Sequence, residues 1–255
     1  MPRRDLSELT YAEVAALEKV GGLVVLPLGS TEQHGPHLPL ATDTLLASYL
    51  LDAALALLPA EAPVWRLPTL PYGKSNEHAG FAGTLTLSHH TLAGLLQDLA
   101  QGIAEAGFTR LAFFSGHGGN TPTLDVVARD VRASVGLHCF VIDPSIQFDA
   151  VTGLSERERA LGYHAGQVET SLMLALAPRL VHMERAVTEF PSLEPGSVGL
   201  AGPARKAWLT SDISRSGVLG DATLADAAQG ERMLREIAGS VAAALVAMVA
   251  PAGEA

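Results

Sequence analysis

Leu23-Val24-Val25-Leu26-Pro27-Leu28, followed at once by Gly29, decides the fold. An unbroken apolar run of this length is what a strand buried on both faces presents, and both faces are covered when a parallel sheet packs between helices. Upstream, Tyr11 to Val20 has helical spacing and stops at Gly21-Gly22. Downstream, Thr44 to Leu58 repeats the helical pattern and Trp65 to Leu70 reads as a second strand. His90 to Ala106 reads as a helix closed by Gly107, and Arg110 to Phe114 as a third strand. Thr123 to Val135 is then predicted helical, His138 to Ile142 a fourth strand, and Val168 to Leu176 a helix before Pro178. The alternation predicts an α/β fold with a mainly parallel sheet and helices on both faces, with ligands outside the carboxyl ends of the strands.

The composition narrows the partners. At 255 residues, 48% apolar and 17% charged, the chain reads as a single domain spanning 1–255. A formal net charge of −10 argues against a grip on phosphate backbones, so no nucleic-acid partner is expected. The single cysteine, Cys139, has no internal disulfide partner and is expected as a small core residue rather than a nucleophile. The N-terminal residues lack the apolar stretch of a signal peptide, which points to the cytoplasm. Ile237 to Ala250 is too short for a bilayer span and is expected as a buried helix, with no membrane partner. Phe190 to Arg205, carrying Pro, Gly and Ser, is expected to cross the surface.

Three constellations carry chemistry. The loop Gly29 to Asp43 places Glu32, His34, His37 and Asp43 in one short stretch punctuated by Gly and Pro. Imidazole nitrogen and carboxylate oxygen together suit Zn²⁺ or Mn²⁺, while a solvated turn with capping side chains is the plain alternative. Ser115-Gly116-His117-Gly118-Gly119-Asn120 sets one histidine among glycines directly after a strand, either to approach a ligand or as an ordinary strand-to-helix turn. In His164-Ala165-Gly166-Gln167-Val168-Glu169-Thr170-Ser171, Gly166 allows a helix to begin between His164 and Glu169, which leaves Glu169 as helix cap or ligand. His117-Gly118-Gly119 also evokes an esterase oxyanion loop, but the chain has no Gly-x-Ser-x-Gly.

Taken with Glu77-His78, Gly83-Thr84 and Gly217-Val218-Leu219-Gly220-Asp221, these motifs resemble the creatininase (creatinine amidohydrolase) family in order and spacing over roughly residues 20 to 235. The resemblance implies a three-layer α/β/α sandwich and a homo-oligomer, usually a hexamer. It implies a metal-dependent amidohydrolase that cleaves a C–N bond of a small molecule or short peptide through a metal-activated hydroxide, with two divalent ions per chain, Zn²⁺ and/or Mn²⁺, or Fe²⁺. By position, Glu32, Asp43 and His117 would hold one metal, and His34 and Asp43 the other. Creatininase itself places a glutamate two residues after the third-motif histidine, where this chain has Gly119, so Glu169 is expected to complete the second site. His164 is expected to donate a proton to the departing nitrogen. Ser75, Glu77 and His78 are expected to line the substrate pocket, and His37 to stand behind the ligands. The region Asp143 to Tyr163 lacks the tryptophans that surround creatinine in creatininase, which disfavours creatinine as the substrate. The competing expectations are a ligand-binding protein of this fold without turnover, and a single-metal hydrolase.

Overall fold

In the computed structural model, which describes residues 3–144, 153–192, 198–200 and 203–249, the apolar run is β1 (Leu23–Leu28), buried along its whole length. It joins β2 (Val64–Arg66), β3 (Arg110–Ser115) and β4 (His138–Ile142) in a parallel sheet of order β2-β1-β3-β4. The period-2 geometry of a strand sends alternate residues to opposite faces. Leu23, Val25, Ala112 and Phe114 enter one apolar cluster, and Val24, Leu26, Leu28, Leu111 and Phe113 the other.

Helices α2 (Thr42–Ala56), α6 (Gln167–Leu176) and α8 (Ala227–Met248) pack on the first face. Helices α3 (His89–Glu105) and α4 (Thr121–Ser134) cover the second. The result is the expected three-layer sandwich. A small antiparallel pair, β5 (Thr188–Glu189) and β6 (Gly220–Asp221), lies outside the main sheet. Since β1 leads to β2 on one side and β3 to β4 on the other, the connections diverge at the carboxyl ends of β1 and β3. That divergence is the switch point at which open α/β sheets form their crevice.

Several boundaries differ from the sequence expectations. Helix α1 (Tyr11–Ala16) ends early, because Leu17 is already extended. The second strand stops at Arg66, before Pro68, which lacks the N–H a ladder needs. The chain nonetheless stays beside β1, with Leu70 N–H donating to Pro27 O at 2.9 Å. Helix α8 begins at Ala227, capped by Asp226, rather than at Ile237. Cys139 is half-buried against the second cluster. The expected surface segment Phe190 to Arg205 lies partly outside the described residues. Among the described residues, no helix is long and apolar enough to cross a membrane.

Candidate metal centre

The loop leaving β1 folds back on itself: Glu32 N–H donates to Leu40 O at 3.0 Å, and Gly35, at φ 63°, turns the chain beneath Gln33. Asp43 sits in the first turn of α2, which presses directly on the ends of β1 and β3. A Cβ added at Gly29 would lie 2.4 Å from the Thr44 backbone, and one at Gly116 would lie 2.5 Å from Asp43 O. Only glycine lets the helix come this close. Asn120 ties the loops together, accepting from Lys74 N–H at 2.8 Å and donating to Gly29 O at 3.0 Å.

These contacts bring the side chains together. His34 Nε2 lies 3.0 Å from Asp43 Oδ1, and His117 Nδ1 lies 3.1 Å from Asp43 Oδ2. Ser30 Oγ donates to Asp43 Oδ2 at 2.6 Å. Glu32 Oε2 is 3.3 Å from His117 Nε2. Glu169, in the first turn of α6, accepts from Ala165 N–H at 2.5 Å. Three overlapping groups of donor atoms result, each within 4.8 Å: Glu32, Asp43 and His117; His34, Asp43 and Glu169; and Glu32, His34 and His164. The first two bring together the residues of the two sets that the family resemblance implies, with Asp43 in both. His164 joins in the third, a ligand position that was not expected for it.

The buried groups are strongly coupled to one another. Although burial opposes ionisation, His34 and His117 hold the Asp43 carboxyl well below its ordinary range. Burial likewise works against charge on His34, yet the adjoining Asp43 carboxylate, with Glu169 and Glu32 behind it, raises its pKa to about 10. Burial pushes Glu169 up to about 7; Asp43 and Glu32 add to the rise, while His34 and the Ala165 N–H oppose it. Both Glu32 carboxylate oxygens are buried without a hydrogen-bond partner. An orphaned buried carboxylate is costly unless something charged meets it. A nitrogen-and-oxygen donor set that includes such a carboxylate fits a divalent cation such as Zn²⁺ or Mn²⁺.

The residues expected to line the substrate pocket stand against Glu32 and His117. His78 is buried with Nε2 3.1 Å from Glu32 Oε1, and its Nδ1 accepts from Gln33 Nε2 at 2.8 Å. Glu77 Oε1 is 3.3 Å from His117 Nε2, and Ser75 Oγ is 3.4 Å from the same nitrogen. All three therefore brace Glu32 and His117. Glu77 also explains Gly119, because a Cβ there would lie 2.2 Å from its Oε1 and 2.3 Å from His117 Nε2. His37, fully buried, pairs through Nε2 with Thr170 Oγ1 at 2.9 Å. Gln33 was not singled out by the sequence, since a neutral amide is an uncommon donor to Zn²⁺ or Mn²⁺. Its side chain nonetheless binds His78, Gly217 O and Gly35 N–H.

A cavity of about 330 Å³ opens beside the cluster, its wall including Leu46, Leu50, Leu154 and Val168 together with His164 and Glu169. None of Ser75, Glu77 and His78 is among its lining residues.

A three-layer α/β/α sandwich with a buried carboxylate-imidazole cluster at its switch point is an arrangement that could hold a metal ion. The family model described as creatinine amidohydrolase matches residues 7–245, so the chain belongs to the creatininase family. It is 34% identical over 245 residues to a mycofactocin precursor peptide peptidase of Mycobacterium ulcerans, covering 91% of this chain and 88% of that one. It is 32% identical over 259 residues to the creatinine amidohydrolase of Pseudomonas putida, covering 94% and 95%. A solved manganese creatininase superposes with TM-score 0.76 at 26% identity, covering 98% of this chain and all of that one. A zinc–zinc form of a creatininase mutant superposes equally well, with TM-score 0.76 at 28% identity over 98% of this chain and 100% of that one.

Proposed function

We propose that this chain is a single-domain, dinuclear metal-dependent amidohydrolase acting on short peptides or small amides. The observation that carries the reading is Glu32, a buried carboxylate whose two oxygens have no hydrogen-bond partner and which faces His78, His117 and His164. Glu32, Asp43 and His117 would hold one ion; His34, Asp43 and Glu169 would hold the other, with Asp43 shared. Zn²⁺ or Mn²⁺ suits these donors, and the solved relatives with manganese or two zinc ions support the choice. When bound, such ions polarise an amide carbonyl and make water acidic enough to react near neutral pH.

The chain's own residues supply the rest. His164 Nε2–H donates to Gln33 O at 2.7 Å, which fixes the tautomer and leaves the lone pair on Nδ1. Burial, and then His34 and His78, keep this ring neutral. Nδ1 can therefore take the proton of the attacking water and pass it to the departing nitrogen, acting as base before acid. The grouping of His164 with Glu32 and His34 supports a second reading, in which Nδ1 is itself a ligand. The apolar cavity wall receives an aliphatic or aromatic substituent next to the scissile bond, which favours a peptide. No tryptophan lines it, and Trp65 is packed in the core against Phe108. We place the enzyme in the cytoplasm as a homo-oligomer, on the half-buried free cysteine and the assembly implied by the family resemblance.

Metal analysis of the purified chain, followed by mass-spectrometric screening of peptides, formamides and cyclic amides, tests the proposal. About two ions per chain and chelator-sensitive release of an amine are expected. Full turnover by the stripped chain would refute it, and full turnover with one tight ion would establish the single-metal alternative.

A further inference from the structure

Helix α6 carries Glu169 but has an incomplete start. Its N-cap, Gly166, offers no side-chain acceptor. Just before it, Ala165 adopts φ 51°, a conformation rare for any residue with a side chain. The segment is nevertheless ordered around one carboxylate. Glu158, from α5 (Glu156–Leu161), is only 3% exposed. Its Oε1 accepts from Gln167 N–H at 2.8 Å and its Oε2 from Asp221 N–H, in β6, at 2.7 Å. Three glycines close around it: an added Cβ would lie 2.8 Å from its oxygen at Gly162, 2.3 Å at Gly166 and 2.8 Å at Gly220. Between these anchors, Tyr163 N–H donates to Leu219 O and Leu219 N–H to His164 O, each at 2.8 Å.

We propose that Glu158 is a positioning residue of the site, its carboxylate clamping the segment 162–167 to β6 and thereby setting where His164 and Glu169 stand. It supplies from a neighbouring helix the acceptor that a serine or aspartate N-cap would supply, and its negative charge suits a helix N-terminus. The inference rests on the proposed role of Glu169 as a metal ligand.

Two variants of the full chain test it, with ion affinity measured by chelator competition and the cobalt(II)-loaded absorption spectrum recorded alongside. In Glu158→Gln, the amide oxygen can accept from only one of the two N–H groups, while its NH₂ opposes the other. Gly166→Ala keeps the Glu158 charge, and at φ −86° alanine is conformationally permitted, so its only conflict is with the clamp. Both should weaken one ion per chain by about tenfold to a hundredfold, leave the other unchanged and alter the cobalt spectrum. Leu92→Ala, fully buried on the opposite face of the sheet, should lower Tm without changing either ion. If Glu158→Gln does not fold, Gly166→Ala decides alone. Two ions bound with wild-type affinity and spectrum in the variants, however far Tm falls, would overturn the positioning role and leave the metal reading intact. A wild-type chain that binds no divalent ion would overturn both.

Discussion

Replacing Gly29 by alanine should damage the metal centre without touching a ligand. The Gly29 backbone is fixed from both sides, its N–H donating to Leu70 O at 2.9 Å and its carbonyl accepting from Asn120 Nδ2 at 3.0 Å. The new methyl would lie 2.4 Å from Thr44 Cα and N and 2.8 Å from Asp43 C, all backbone atoms that no rotamer change can move. Ordinary contact begins near 3.4 Å, so the first turn of α2 must retreat by roughly 1 Å. Overpacking of this kind costs about 1 to 3 kcal/mol, or roughly 2 to 12 °C in Tm for a chain of this size. The effect on metal should be larger in proportion, because ligand distances tolerate only about 0.2 Å and Asp43 belongs to both candidate sites. Titrating the stripped protein with Zn²⁺ or Mn²⁺ should show both ions weakened together. Gly102→Ala, on exposed helix surface with nothing within 4 Å, is the control and should raise stability by about 0.5 to 1 kcal/mol. Two ions bound at wild-type affinity by Gly29→Ala would refute the claim that close approach of α2 places Asp43.

Glu169→Gln keeps an acceptor for Ala165 N–H, so a mere cap would cost at most about 1 kcal/mol; as a ligand, it should lose one ion and reduce turnover by orders of magnitude, read by metal content and kinetics together. Burial raises the Cys139 thiol to about 11, with Arg132 opposing, so its thiolate is scarce at neutral pH. Iodoacetamide labelling should accordingly be slow at pH 7 and speed up as pH approaches 11, and fast labelling at pH 7 would contradict the burial. Light scattering should show an assembly larger than a monomer at micromolar concentration.

How much of this was legible depends on what each residue answers to. Leu23 to Leu28 and Arg110 to Phe114 announce themselves because burial on both faces leaves an unbroken apolar signature. The extent of α8 did not: its first half alternates buried Gly230, Met233 and Ile237 with exposed Glu231, Arg232 and Arg235, so a search for apolar density finds only the second half. In the site, residue chemistry made Glu32, His34, Asp43 and His117 candidates beside plainer readings, and the family resemblance grouped them into two sets. Glu77 and His78 were visible as chemistry-bearing residues, but their place against His117 and Glu32 follows from contacts some forty residues apart in the chain. Glu158 gave no signal, since a glutamate in a charged segment, Glu156-Arg157-Glu158-Arg159, reads as solvated surface until the three glycines fold around it.

The placement of the donors suggests how one centre can serve different amides. Glu32, His34, Asp43 and His117 are fixed by the loops at the ends of β1 and β3 and by the first turn of α2, where Gly29 and Gly116 admit close backbone approach. The cavity wall draws also on Leu154 and Val168, on the segment that Glu158 clamps, and on Leu46 and Leu50 of α2. Changing Leu154 or Val168 touches none of Glu32, His34, Asp43 and His117, so relatives with different substrates can share these four residues. Substrate choice should therefore respond to substitutions at Leu154 and Val168, and metal content to substitutions at Gly29 and Gly116. Glu169 belongs to both sets, since its carboxylate lies in a donor group while the residue lines the cavity, so in the proposed function α6 is the element where amide and metal would meet.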